Sequence, residues 1–256
     1  MSLKFNPKAH VYTLDGSRVP GVTTLIGKGL PKPALPYWSA KMVAEWVADN
    51  PDIVEEVKRL GGRGPAVAFL KELPWQKRDE AAIRGTDVHA LAERLAHGEE
   101  VEVPEHLTGY VSGYCDWLDA TGFQPIVTEK PCASRKWAYA GKPDAIGTFD
   151  RGPLAGKTFL LDWKTSSGVY GETALQTGAY ARAEFYVDDN GDEIPMPHID
   201  ATGVVHIQDG LSELYVLADG PEQIDEAFKV FSHIAYVARK TDWIKSRISD
   251  PIGVES

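Results

Sequence analysis

Cysteine is scarce in this chain: two among 256 residues, Cys115 and Cys132. Two thiols are too few for a disulfide framework, and too few for a four-thiolate zinc or iron–sulfur site built from cysteine alone. No apolar run approaches the ~18 residues of a membrane span, so no membrane partner is expected. The opening residues, Met1-Ser2-Leu3-Lys4-Phe5-Asn6, lack the apolar stretch of a secretory signal. Internal repeats and low-complexity tracts are absent, and no Gly-X-X-X-X-Gly-Lys-Ser/Thr loop occurs, so no nucleotide-driven motor is expected. Positive charge is short too: 27 basic against 37 acidic residues leave a formal net charge of −10. That balance argues against a protein that coats nucleic acid by bulk charge. Together these absences predict a soluble protein of a reducing compartment.

What is present suits a folded domain. The apolar fraction is 43% and the charged fraction 25%, which excludes wholesale disorder and allows a sizeable core. The length fits one large domain or two small ones. Charge is unevenly placed. Lys58 to Arg84 holds seven basic and three acidic residues, and Lys130 to Lys142 four basic and none acidic. Glu184 to Glu226 holds twelve acidic residues and no Lys or Arg. Each run is either a solvated face or one wall of a polarised surface.

Periodicity orders the elements. His10–Leu14 and Ser17–Val19 around Asp15-Gly16 predict a small hairpin. A Gly- and Pro-rich loop is expected up to Pro36, then helices over 37–49, 52–60 and 65–72. A stronger helix over 76–97 carries Val88, Leu91, Ala92 and Leu95 at i, i+3, i+4, i+7, and Gly98 closes it. Another helix is expected over 104–121, starting with Pro104. Residues 124–150 read as two strands meeting near Ser134, and 158–163 as a short buried strand. Helix 172–186, a loop over 188–198, strands 201–208 and 212–217, and helix 221–244 complete the chain. The order predicts one α/β domain over 1–256, with a hairpin and helical elaboration over 10–122 and a core over 123–245.

The most informative stretch is Phe159-Leu160-Leu161-Asp162-Trp163-Lys164-Thr165-Ser166. Alternation on a strand sends Leu161 and Trp163 to one face, and Leu160, Asp162 and Lys164 to the other. A carboxylate and an ammonium on one face form either a structural ion pair or a reactive set. Gly141-Lys142-Pro143-Asp144 precedes it, and a hairpin joining the two strands would bring Asp144 beside Asp162. Two carboxylates sharing a site repel unless a cation lies between them, and a hard divalent ion is the natural occupant. Lys164 beside them can orient a water or stabilise charge on a phosphate oxygen. His89 follows Val88 on the helix stripe and is either a structural histidine or a ligand through neutral imidazole. Glu93, four residues on, shares its face, as a partner of His89 or as an exposed surface residue.

These residues resemble the motifs of the RecB-like branch of the PD-(D/E)XK nucleases, which includes phage-type exonucleases. Asp144 matches the first Asp of the motif, and Asp162-Trp163-Lys164 its (D/E)XK element. Gly85-Thr86-Asp87-Val88-His89 is similar to the Gly-X-X-X-His that precedes the strands in that branch. Glu129 matches its strand Glu, and Gln176-Thr177-Gly178-Ala179-Tyr180 its Gln-X-X-X-Tyr. Pro20-Gly21-Val22-Thr23-Thr24 is similar to a Pro-Ser-Val-Thr segment of the same relatives, with Gly21 in place of Ser. The resemblance covers about residues 10–240.

What the resemblance implies is specific. The fold would be a restriction-endonuclease-like core, a central mixed sheet flanked by helices, with a helical N-terminal elaboration. The activity would be exonucleolytic hydrolysis of DNA from free ends, in recombination, repair or replication, in the cytoplasm of a bacterium or a phage-infected host. Mg²⁺ or Mn²⁺ would be held by His89, Asp144, Asp162 and the backbone carbonyl of Trp163. Lys164 would act on the water and the phosphate, with Glu129, Gln176 and Tyr180 as further members of the catalytic set. Arg78, Arg84, Lys142 and Trp75 are candidate DNA contacts; Trp75 either stacks on a base or packs in the core. The acidic 184–226 segment would form the far side. Single-stranded or end-resected DNA is the expected partner, and a single-strand annealing or recombination protein a further one. One subgroup of the family carries an iron–sulfur cluster on four cysteines. Cys115 and Cys132 cannot supply that set, so no iron–sulfur cluster is expected. The alternatives are an endonuclease on the same core, an inactive DNA-binding recombination accessory, and an acidic DNA mimic.

Overall fold

The computed structural model describes residues 2–249. In chain order it contains β1 (Leu3–Asn6), β2 (Val11–Leu14), β3 (Ser17–Val19), α1 (Val22–Gly29), α2 (Ala34–Asp49), α3 (Pro51–Gly61), α4 (Arg63–Ala96) and α5 (Thr108–Thr121). Then follow β4 (Phe123–Thr128), β5 (Cys132–Ser134), β6 (Tyr139–Gly141), β7 (Ala145–Phe149), β8 (Thr158–Lys164) and α6 (Thr173–Ala181). The chain continues through β9 (Phe185–Val187), β10 (Glu193–Pro195), β11 (Ala201–Gln208), β12 (Leu211–Asp219) and α7 (Pro221–Lys245). The class is mixed α/β. Among the described residues no helix is long and apolar enough to cross a membrane. The chain divides into two compact units, one of residues 1–30 and 88–256, the other of 31–87.

The larger unit is built on a five-stranded sheet of order β12-β11-β8-β7-β4. β8 and β11 are parallel, and the other neighbours antiparallel, so the sheet is mixed. Alternation along β8 divides the core. Phe159, Leu161 and Trp163, all fully buried, pack with Val205 and Ile207 of β11, Tyr114 and Trp117 of α5, and Val88 and Ala92 of α4. Leu160 and Ile146 face the other way, against Ala179 and Tyr180 of α6, Phe231 and Ala235 of α7, and Val22 and Leu25 of α1. Each large apolar side chain buried this way contributes ~1.5–3 kcal/mol. Gly122, at φ +62°, supplies the left-handed residue that ends α5 and starts β4.

Two smaller sheets belong to the same unit. One is the three-stranded β1-β2-β3; the other, β10-β9-β5-β6, packs on it through Tyr12, Leu14, Ala133, Ala140 and Phe185. The smaller unit comprises α2, α3 and α4 up to Asp87, with Trp46 and Phe69 meeting edge to face at 5.2 Å.

Several elements differ from the sequence expectation. α4 is one helix where two were expected, and it runs through Pro74. Proline's fixed φ is helical, so the residue removes one backbone hydrogen bond without ending the helix. α1 takes up residues 22–26, to which the pattern assigned no element, and the start of the expected loop; its eight residues bury Val22, Leu25 and Ile26. Pro104 opens a 3₁₀ turn over Glu105–Leu107, and α5 starts only at Thr108. Residues 124–150 hold four strands instead of two, and α6 stops at Ala181, short of 186. The expected 188–198 loop contains β10, because Asp188 Oδ1 accepts the N–H groups of Asn190 (2.9 Å) and Asp192 (2.8 Å). That tight turn lets Phe185–Val187 pair with Glu193–Pro195.

Candidate metal centre

β7 and β8 pair antiparallel, with Ala145 opposite Leu161. Asp144, the residue just ahead of β7, therefore stands next to Asp162. Both carboxylates are buried, at 8% and 2% exposure. Asp144 Oδ2 accepts the backbone N–H of Trp163 at 2.6 Å. Asp162 Oδ1 accepts Gln176 Nε2 at 2.6 Å, and the Lys164 ammonium lies against Oδ2. The indole of Trp163 is on the opposite sheet face, so this residue meets the site through its backbone.

Two further groups converge on Asp144. His89, on α4, puts Nδ1 3.5 Å from Asp144 Oδ1. Glu129 follows β4, and its N–H donates to the Asp144 carbonyl at 3.0 Å. Its φ of +50° is the left-handed region that a non-glycine residue rarely adopts, a local strain at this corner. One ligand atom from each of His89, Glu129 and Asp144 lies within 4.8 Å of the others. One imidazole and two carboxylates make a set that can hold a divalent ion, with the Asp162–Lys164 pair beside Asp144. Glu129 thus joins His89 and Asp144 in the ligand cluster. The Lys142 ammonium sits against the Glu129 carboxylate.

The electrostatics of the pair are asymmetric. Burial raises both carboxyls. For Asp144 it is outweighed by His89, in charge and hydrogen bond, then by Lys164 and the Trp163 N–H, which together hold it below the usual carboxylate range. For Asp162, burial and the Asp144 charge win over Lys164 and His89, and its carboxyl is pushed up to about 6. Burial disfavours charge on His89 and Lys164, but the aspartates reverse this and raise both. Two adjacent buried carboxylates cannot both ionise cheaply without a cation between them.

Around this centre, Gln176 Nε2 also reaches the Tyr180 hydroxyl at 3.4 Å. Burial and the Asp162 charge keep Tyr180 a neutral phenol. A side chain at Gly141 would place its Cβ 2.2 Å from Tyr180 Cε1, so the Gly-Lys-Pro-Asp run needs glycine where that ring lies. Behind Glu129, Thr128 Oγ1 donates to Glu93 Oε1 at 3.3 Å and receives His97 Nε2 at 2.9 Å. His89 and Glu93 stand at i, i+4 on one face of α4, and His97, a further four residues on, is the first residue past its end. Sequence reasoning missed His97 and Thr128; that spacing was the available signal for His97.

Trp75, Arg78 and Arg84 belong to the smaller unit. Trp75 is half exposed and lines a groove of about 730 Å³ with Leu35, Trp38, Val67 and Leu70. The Arg78 guanidinium covers one indole face at 4.4 Å and pairs with Asp79 at 2.7 Å. The expectation that the acidic 184–226 segment lies on the far side from the basic 130–142 run is not met: Lys130 pairs with Asp189, and Arg135 with Glu193. The reason is that β9 pairs with β5, which sets acidic residues of 184–226 beside basic residues of 130–142.

No protein-family model matches the chain, and no curated protein matches it.

Proposed function

We propose that this protein is a metal-dependent deoxyribonuclease on a PD-(D/E)XK core, acting from free DNA ends. The observation that carries the reading is the convergence of His89, Glu129 and Asp144 beside an Asp162–Lys164 pair. Mg²⁺ or Mn²⁺, when bound, lowers the pKa of a coordinated water and neutralises charge on the phosphate. His89, Glu129 and Asp144 would hold the ion, with Asp162 and the Trp163 carbonyl as the further ligands that the resemblance implies. The Trp163 N–H fixes the rotamer of Asp144, and Gln176 fixes that of Asp162. Lys164 donates to a phosphate oxygen and orients the attacking water, so its ammonium acts where negative charge develops.

Isothermal titration of Mn²⁺ against wild type, Asp144→Asn and His89→Ala tests the ligand set apart from turnover. Wild type is expected to bind, with both variants weakened at least tenfold. Equal binding by all three rules out this centre. Single-stranded DNA is the expected substrate, and the ends of a duplex a poorer one.

A further inference from the structure

We infer that His206 is a positioning residue for Lys164, holding the backbone that presents the ammonium to the phosphate. The inference rests on the nuclease reading of the site. β11 runs parallel to β8 with Val204 aligned to Asp162 and His206 to Lys164. Aligned residues of neighbouring strands point to the same sheet face, so His206 stands in the row beside Lys164. It is 4% exposed, a polar side chain in the run Ala201-Thr202-Gly203-Val204-Val205. A buried imidazole needs a partner. Its Nε2 lies 2.6 Å from the carbonyl oxygen of Ser166. A carbonyl only accepts, so Nε2 carries the proton and donates.

Ser166 is two residues past the end of β8, where the chain leaves the sheet. From Thr165 to Gly171 it forms neither helix nor strand. The Ser166 hydroxyl donates to the Gly168 carbonyl at 2.8 Å, so the first bend after Lys164 is held by two bonds, one of them from His206. This bend joins Lys164 to α6, which carries Gln176. Loss of the imidazole donor frees the bend, and with it the direction in which the ammonium leaves the strand. A shift of ~1 Å in a group that acts in the transition state costs up to ~100-fold in rate.

The test compares His206→Gln with His206→Asn in the full chain, because the two differ in donor position more than in polarity. The Gln amide reaches the place of Nε2; the Asn amide stops near the place of Nδ1. Steady-state cleavage of an end-labelled single-stranded oligonucleotide with Mg²⁺ gives kcat and KM, and fluorescence anisotropy in chelator gives DNA affinity. For His206→Asn the expected result is a kcat ~10–100-fold lower, with KM and affinity within about twofold of wild type. For His206→Gln, kcat is expected to recover to within about threefold of wild type. Equal kcat for the two variants, whether reduced or normal, overturns the inference, as does a loss confined to KM or affinity. Absent Mg²⁺-dependent cleavage by wild type would instead sink the nuclease reading, so the two failures are distinguishable. If His206→Asn does not fold, His206→Leu takes its place with the same expected kcat loss and the same overturning result.

Discussion

Asp144 and Asp162 are the same residue type a few ångströms apart, and the fold gives them opposite tendencies. Asp144 keeps its charge because His89 and the Trp163 N–H stand on it; Asp162 keeps its proton to a higher pH than an ordinary carboxyl. The folded-state value of about 6 lies above the ordinary 3.8, so the folded protein binds this proton more tightly than the unfolded chain. The resulting stabilisation is full below about pH 4 and lost as pH rises through about 6. At pH 7.5 the metal-free protein carries an ionised Asp162 that burial and the Asp144 charge disfavour. Asp162→Asn is therefore expected to stabilise the metal-free protein at pH 7.5 and to change little at pH 4. Urea unfolding in chelator at the two values measures this. A variant less stable than wild type at pH 7.5 contradicts it.

Residues with distinctive chemistry were legible in the sequence. Asp144, Asp162 and Lys164 were singled out by strand alternation and a hairpin between their strands, and His89 by the family resemblance. Thr128, His97 and His206 did not, because their partners lie far along the chain: His97 to Thr128, and His206 to Ser166. A hydroxyl or imidazole with an ordinary local pattern gives no sign of a contact that only the folded sheet creates.

At the scale of elements, long periodic helices were read well and short strands poorly. The Val88–Leu95 stripe lies within α4 and the 221–244 helix within α7. β5, β6, β9 and β10 have three residues each, too few for alternation to register. Their pairing is fixed by side chains instead. Glu184, just ahead of β9, accepts the Ser134 hydroxyl at 2.8 Å and the Lys136 N–H at 2.9 Å, tying the β5–β6 turn to its neighbour. Burial raises this carboxyl, but those donors and Arg135 outweigh it and hold it below its ordinary 4.5. Its stabilisation is present above 4.5 and lost as pH falls through the lowered value. Glu184→Gln is expected to cost about 1 kcal/mol at pH 7, a modest figure because the group is exposed, and progressively less in acid. Thermal unfolding at neutral and acid pH measures this; a pH-independent cost contradicts it.

For the whole molecule, the mixed α/β class was legible, because helical and strand patterns alternate along the chain. The distribution of charge was not. Runs counted along the sequence say nothing about which strand lies beside which, and the pairing of β9 with β5 brings opposite runs together. The proposed preference for free ends belongs to this scale as well, since it concerns how a whole strand enters. A linear single strand is expected to be degraded, while a circle of the same sequence resists. A time course on the matched pair measures this, and comparable cutting of both favours an endonuclease on the same core.

The central claim is that the buried pair of aspartates and Lys164 form a metal-dependent hydrolytic site. The most direct measurement is digestion of end-labelled single-stranded DNA by wild type and Lys164→Met, with Mg²⁺ and with chelator. Wild type is expected to cleave in Mg²⁺ alone. Lys164→Met is expected to turn over at least ~100-fold more slowly, with DNA affinity in chelator unchanged, because the lysine acts on charge that develops only in the transition state. Undiminished cleavage in chelator, or near-normal turnover by Lys164→Met, would contradict that claim and leave the Asp162–Lys164 contact as a structural ion pair.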